Sequence, residues 1–139
     1  MSFLDRAVRR FHLAPHSPVP DEAVIDFLNL VMLADHLSSV DERDRIDTFV
    51  VSRTWPDGHN PEAYASESLG AARLVLADPD RLHHALDSII ARLRGTEHRQ
   101  YALDLADEIA ALDGTVSVQE RVIIEYIRHG LGTHDTTAE

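Results

Sequence analysis

Residues 35–43 read Asp-His-Leu-Ser-Ser-Val-Asp-Glu-Arg, and residues 113–121 read Asp-Gly-Thr-Val-Ser-Val-Gln-Glu-Arg. Aspartate, serine, valine, glutamate and arginine recur at the same five of the nine positions. Each copy joins one predicted helix to the next, and a repeated joint of this kind indicates equivalent structural units. The repeat therefore predicts two equivalent helix hairpins, related by a pseudo-two-fold axis within one bundle.

The apolar residues elsewhere in the chain follow helical spacing, and no run shows the alternation typical of β-strands. Proline and glycine separate the helical stretches. Seven helices are predicted: residues 2–13, residues 21–35, Ser39 to the loop at 56–61, that loop to Asp78, Pro79 to Gly95, Thr96 to Asp113, and Ser117 to Gly130. The fold class is all-α, with one compact bundle over residues 1–132 and a flexible C-terminal tail at 133–139.

Composition excludes several classes of function. With 24 acidic and 13 basic residues the formal charge is −11, which would repel a nucleic-acid backbone. The chain has no cysteine, so disulfides, thiolate nucleophiles and cysteine-bound zinc are excluded. The longest aliphatic run, residues 30–34, is far shorter than the roughly 18 residues of a transmembrane helix. The N-terminus also lacks the features of a signal peptide, so we expect a cytoplasmic protein without a transmembrane segment.

Part of the repeat has a structural explanation. Ser39 with Glu42, and Ser117 with Glu120, fit the capping box, in which the serine side chain and the glutamate side chain each bond the other residue's backbone amide. The two glutamates begin apolar helical stripes and the two repeat aspartates end them. The side chains are therefore predicted to point toward the inside of the bundle.

Four carboxylates are thus expected to approach one inner region: Asp35, Glu42, Asp113 and Glu120. Such a group repels itself unless it is protonated, hydrogen-bonded or bridged by a cation. Oxygen ligands favour Mg²⁺, Ca²⁺ or Mn²⁺, and Zn²⁺ would suit the group if His36 joined it. Two interpretations stay open, capping alone or a divalent-cation site. No organic cofactor is indicated, because glycine-rich phosphate loops are missing.

Other polar residues receive plainer interpretations. Asp26 and Asp104 correspond in the repeat, and we expect both on the outer face. His83 and Asp87 lie one helical turn apart and are interpreted as part of a solvated helix face. Trp55 is interpreted as a residue that packs on the core.

The stretch at residues 105–121 resembles the signature of the TerB-like domains, the family of the tellurite-resistance protein TerB. That signature reads A-x-D-G-x-(hydrophobic)-S-x-x-E, and a second copy early in the domain is matched here by Asp35, Ser39 and Glu42. The early copy departs from the pattern where His36 replaces the glycine. The resemblance covers nearly the whole chain, although only these two stretches carry specific residues.

This resemblance implies a cytoplasmic domain of tellurite and other stress resistance, with protein partners in membrane-linked complexes and no enzymatic activity. We therefore expect a non-enzymatic, acidic interaction module that responds to a cation. The alternative is a metal-dependent enzyme that uses the same carboxylates, but the sequence offers no general base or oxyanion loop near them. The sequence leaves open whether the chain forms a homo-oligomer.

Overall fold

The computed structural model of the protein describes residues 19–35, 39–56, 58–112 and 114–132. These residues form six α-helices and no strand, which confirms the all-α class. The helix predicted over residues 2–13 and the tail at 133–139 lie outside the described residues, so six of the seven predicted helices are observed. In the described part of the chain, no helix is long and apolar enough to cross a membrane.

The six helices are α1 Val19–Leu33, α2 Val40–Ser52, α3 Pro61–Leu76, α4 Pro79–Leu93, α5 His98–Ala111 and α6 Val118–Leu131. Local sequence explains most of their starts. The side chains of Asn60 and Asp78 accept hydrogen bonds from backbone amides as N-caps of α3 and α4. A proline follows each of them in the first turn. At the other end of the chain, Gly132 closes α6 in the left-handed conformation, with φ 71°.

Helix α1 lies at the centre of the bundle and contacts all five other helices. Every residue from Asp21 to Ala34 is buried except Asp26, which is partly exposed. A helix that carries apolar residues on more than one face has to be enclosed by other elements, and from Ala23 onward α1 is mostly apolar, with Asp26 and Asn29 as polar exceptions. The remaining helices therefore pack around α1 as a shell.

The two hairpins of the repeat, α1–α2 and α5–α6, are packed against each other. Helices α1 and α5 are in contact, and the second helix of each hairpin also touches the first helix of the other. Equivalent positions share their burial: Glu42 with Glu120, Ile46 with Ile124 and Phe49 with Ile127 are buried, whereas Val40 and Val118 are both 73% exposed.

Polar contacts give the direction of these helices. At one end, Asp21 Oδ1 in the first turn of α1 lies 3.1 Å from Arg53 Nε, just after α2, and 3.1 Å from His98 Nε2 at the start of α5. Farther along, Arg45 Nε in the first half of α2 lies 2.6 Å from Glu108 Oε2 near the end of α5. Helices α1 and α5 therefore run in the same direction, with α2 opposite to both.

One consequence is that α1 and α5 finish at the same end of the bundle. The connections from α1 to α2 and from α5 to α6 both lie there. We call this end, where α1 and α5 finish and α2 and α6 begin, the loop end. The two copies of the repeat thus occur at one end of the molecule and not at opposite ends.

Candidate functional site

Both predicted capping boxes are present at the loop end. Ser39 Oγ accepts from the Glu42 amide at 3.1 Å, and Glu42 Oε1 accepts from the Ser39 amide at 2.9 Å. The same pair of bonds joins Ser117 and Glu120, at 3.1 and 2.7 Å. The repeat therefore fixes the first turn of α2 and of α6 in the same way.

The burial of the two glutamates goes beyond what capping requires. Glu42 is 2% exposed and Glu120 is 0% exposed, although each stands in the first turn of a helix. The capping bonds use Oε1 of each residue, and Oε2 is buried as well. Burying a carboxylate is unfavourable unless the surroundings compensate its charge. The repeat thus places two enclosed carboxylates at one end of the bundle.

The two predicted aspartates stand differently in the structure. Asp35 lies two residues after the end of α1 and is half-buried, with polar interactions of its own. Asp113 and His36 lie outside the described residues. Among the residues that are described, no three histidine, aspartate or glutamate side chains come together in a way that could hold a metal ion. The four-carboxylate site therefore stays a prediction, with Glu42 and Glu120 placed at the same end.

The loop end also exposes apolar side chains. Val40 and Val118, the first residues of α2 and α6, are each 73% exposed, Val122 is 61% exposed and Leu112 is 38% exposed. We call these four residues the loop-end patch. Exposed apolar side chains that share one end of a bundle are candidates for a protein interaction site. The patch adjoins the turns that contain the buried glutamates.

Asp26 does not lie on an outer face, and that prediction was wrong. Its Oδ2 lies 2.8 Å from Arg92 Nη2 of α4 and accepts a hydrogen bond of 2.8 Å from the Tyr64 hydroxyl of α3. The repeat-equivalent Asp104 is exposed and accepts a hydrogen bond from the side-chain amide of Gln100. The difference arises because α3 and α4 cover α1, whereas this side of α5 faces solvent.

The buried network has clear electrostatic consequences. Burial and the nearby negative charge of Asp26 raise the pKa of Tyr64 well above its usual value. For Arg92, burial lowers the pKa, but Asp26 and Tyr64 more than offset this, so its pKa is raised and it stays charged. Sequence reasoning missed Arg92, because nothing in the local pattern of α4 shows that it faces α1.

Two plainer expectations agree with the structure. His83 and Asp87 are exposed, and the Tyr126 hydroxyl donates to Asp87 Oδ1 at 2.7 Å and lies 2.9 Å from His83 Nε2. The hydrogen bond to Asp87 raises the pKa of Tyr126. Trp55 is half-buried against the core and donates its indole N–H to the Val50 carbonyl at 2.9 Å.

Comparison with known protein families, with curated proteins and with solved structures finds no match to this chain. The resemblance to the TerB-like domains therefore stays a prediction based on the repeat.

Proposed function

We propose that this protein is a non-enzymatic interaction module of the TerB-like, stress-response type. Its loop end would bind a divalent cation through four carboxylates: Asp35, Glu42, Asp113 and Glu120. The observation that supports this most strongly is the burial of Glu42 and Glu120 at equivalent positions of one end. A capping box needs only one carboxylate oxygen beside the serine amide, so capping does not by itself require the whole side chain to be buried.

The proposal includes the symmetry of the site. In it, the hairpins α1–α2 and α5–α6 are related by a pseudo-two-fold axis that runs parallel to α1 and α5. The common direction of these two helices supports such an axis, because it brings both copies of the repeat to the loop end. Each hairpin would then contribute one aspartate and one glutamate. Carboxylate oxygens suit Mg²⁺, Ca²⁺ or Mn²⁺, and Zn²⁺ would require His36 in addition.

The partner in this proposal is a protein that docks on the loop-end patch in the cytoplasm, within a membrane-linked complex. The exposed Val40 and Val118 support a protein partner, because they offer apolar contact next to the proposed cation. The net charge of −11 disfavours nucleic acid. Cation binding would reduce the negative charge at this end and so favour docking of an apolar or acidic surface.

Thermal unfolding with and without cations tests the site. A cation at a hundredfold excess over its Kd stabilises the folded chain by about 2.7 kcal/mol, so millimolar Ca²⁺, Mg²⁺ or Mn²⁺ should raise the Tm of a chelated sample. The double variant Glu42→Gln with Glu120→Gln should lose this rise. Glutamine still completes a capping box, so the variant separates the charge from the cap.

The control is Asp41→Asn, which removes the same charge from an exposed residue of the same helix turn. It should keep the cation response. If the chelated chain ignores all these ions, or if the double variant responds as the control does, the residues are caps only. Val118→Asp then tests the partner separately, because it should remove cation-dependent protein binding while leaving the rise in Tm intact.

A further inference from the structure

A groove with a volume of about 300 Å³ runs along α1 between α2 and α3. Its floor is mostly apolar, with the buried Asn29 among the apolar side chains of Met32, Ile46, Val50, Ala65 and Leu69. Polar side chains line its rims, with Arg43 and Asp47 on α2 and Glu62 and Ser66 on α3, so two carboxylates and one guanidinium face the groove. Val51 also lines the groove and is 70% exposed, so an apolar side chain faces solvent beside an apolar floor.

The direction of the groove follows from its helices. Arg53 contacts Asp21, which places the end of α2 beside the start of α1. Helix α3 runs in the same direction as α1, because Tyr64 bonds Asp26 and the later Ser68 bonds Asn29. One mouth of the groove therefore opens beside the start of α1.

This arrangement fits an amphipathic helix with basic flanks. The apolar floor would receive its apolar face, and the carboxylates of Asp47 and Glu62, both exposed, would attract its basic side chains. A helix lying between two others over a third is also a common packing arrangement in α-proteins.

The chain itself carries a segment of this chemistry. Within residues 2–13, apolar side chains recur at helical spacing and arginines occupy other positions: Phe3, Leu4, Ala7, Val8 and Phe11 are apolar, and Arg6, Arg9 and Arg10 are basic. The chain as a whole carries a charge of −11, so this segment contrasts with the body of the protein. We propose that residues 2–13 bind in this groove as an amphipathic helix of the same chain.

The lengths agree with this occupant. A helix over residues 2–13 would be about 18 Å long, and the α2 rim from Arg43 to Val51 extends about 12 Å. From Leu13 to Val19 the chain has six Cα–Cα steps, which span about 20 Å when extended. Prolines in this linker favour an extended course. The segment can therefore reach the mouth beside the start of α1 and continue along the floor.

Paramagnetic relaxation in the full-length chain tests this proposal. The sequence has no cysteine, so Thr48→Cys creates a single site for a nitroxide on an exposed position of α2 beside the groove. Residues 2–13 should lose at least half of their amide signal intensity. A nitroxide at Val122→Cys is the matched control, because it lies on α6, which does not line the groove. It should leave those signals unchanged.

Val51→Arg, added to the Thr48→Cys chain, should restore the signals of residues 2–13, because it puts a positive charge, which repels the arginines of the segment, at a groove position that is already exposed. Unchanged signals from α4 and α6 would show that this variant is folded. Equal broadening from positions 48 and 122, or broadening that persists with Val51→Arg, would overturn the proposal.

Two other occupants would be recognised in the same experiment. Broadening of an unlabelled ¹⁵N chain by a separate nitroxide-labelled chain would show that the segment binds a second copy. If the amide signals of residues 2–13 show no broadening in solution, and the segment binds vesicles of phosphatidylcholine and phosphatidylserine, the segment would be a membrane-surface anchor. Either outcome would overturn the intramolecular site.

Discussion

Asp26→Ala is expected to lower the free energy of unfolding by about 3 kcal/mol. The carboxylate of Asp26 is shared by Arg92, whose side chain is 8% exposed, and by the buried hydroxyl of Tyr64, each at 2.8 Å. Removing one partner of a buried ion pair costs about 3–5 kcal/mol, because the remaining charge stays in the interior. We expect the lower end of this energy range, because Arg92 Nε keeps a hydrogen bond of 3.3 Å to the Ser88 carbonyl when Asp26 is removed.

Urea unfolding measures this effect. With a slope of about 2 kcal/mol per M, a loss of about 3 kcal/mol moves the midpoint down by about 1.5 M. Asp104→Ala is the matched control, because it makes the same change at the repeat-equivalent position, where the side chain is exposed. Its free energy of unfolding should stay within about 0.5 kcal/mol of the parent chain.

Equal midpoints for the two variants would refute the reasoning. They would mean that α3 and α4 do not enclose Asp26, and that its ion pair with Arg92 contributes no more than a surface contact. Asp26→Asn distinguishes charge from shape, because it keeps an acceptor for the Tyr64 hydroxyl but removes the negative charge that pairs with Arg92. It should therefore recover only part of the loss seen with alanine.

Three further changes have defined outcomes. Ser117→Ala removes the side-chain cap of α6 and should lower the free energy of unfolding by about 1 kcal/mol, as a shift in the urea midpoint. Gly130→Ala should cost about 1–3 kcal/mol, because the added Cβ would meet the side chain of Ile90; Gly70→Ala, in open space within α3, should instead stabilise by about 0.5–1 kcal/mol. Above about pH 10 the unfolded chain ionises Tyr64 while the folded chain keeps it protonated, since burial and Asp26 raise its pKa. Unfolding titrations should therefore show stability falling as pH rises past 10, and Tyr64→Phe should reduce that fall.

The sequence predicted those features that depend on local chemistry. Ser39 and Ser117 begin their helices because a serine oxygen can bond an amide three residues later, and this requires no knowledge of the rest of the fold. The starts of α3 and α4 could be predicted for a similar reason, because a proline after an Asn or Asp N-cap favours the first turn of a helix. The inward direction of Glu42 and Glu120 could also be predicted, because each begins an apolar stripe.

The environment of Asp26 could not be predicted in that way. Residues 26 and 104 are equivalent along the chain, but only the first has α3 and α4 packed over it. Helical periodicity identifies the apolar side of a helix and carries no information on which other helices cover its polar side. The one available signal was the composition of α1, where Phe27 and Leu30 add apolar residues beyond a single face.

The enclosure of α1 has a mechanical consequence for the two ends of the molecule. Its 15 residues form a rod about 22 Å long, and close packing on every side resists bending or rotation of that rod. A displacement at its last turn, beside Asp35, is therefore transmitted along the axis to its first turn. There Asp21 Oδ1 lies 3.1 Å from both Arg53 Nε and His98 Nε2. A shift of α1 along its axis would therefore move both ends of the protein together.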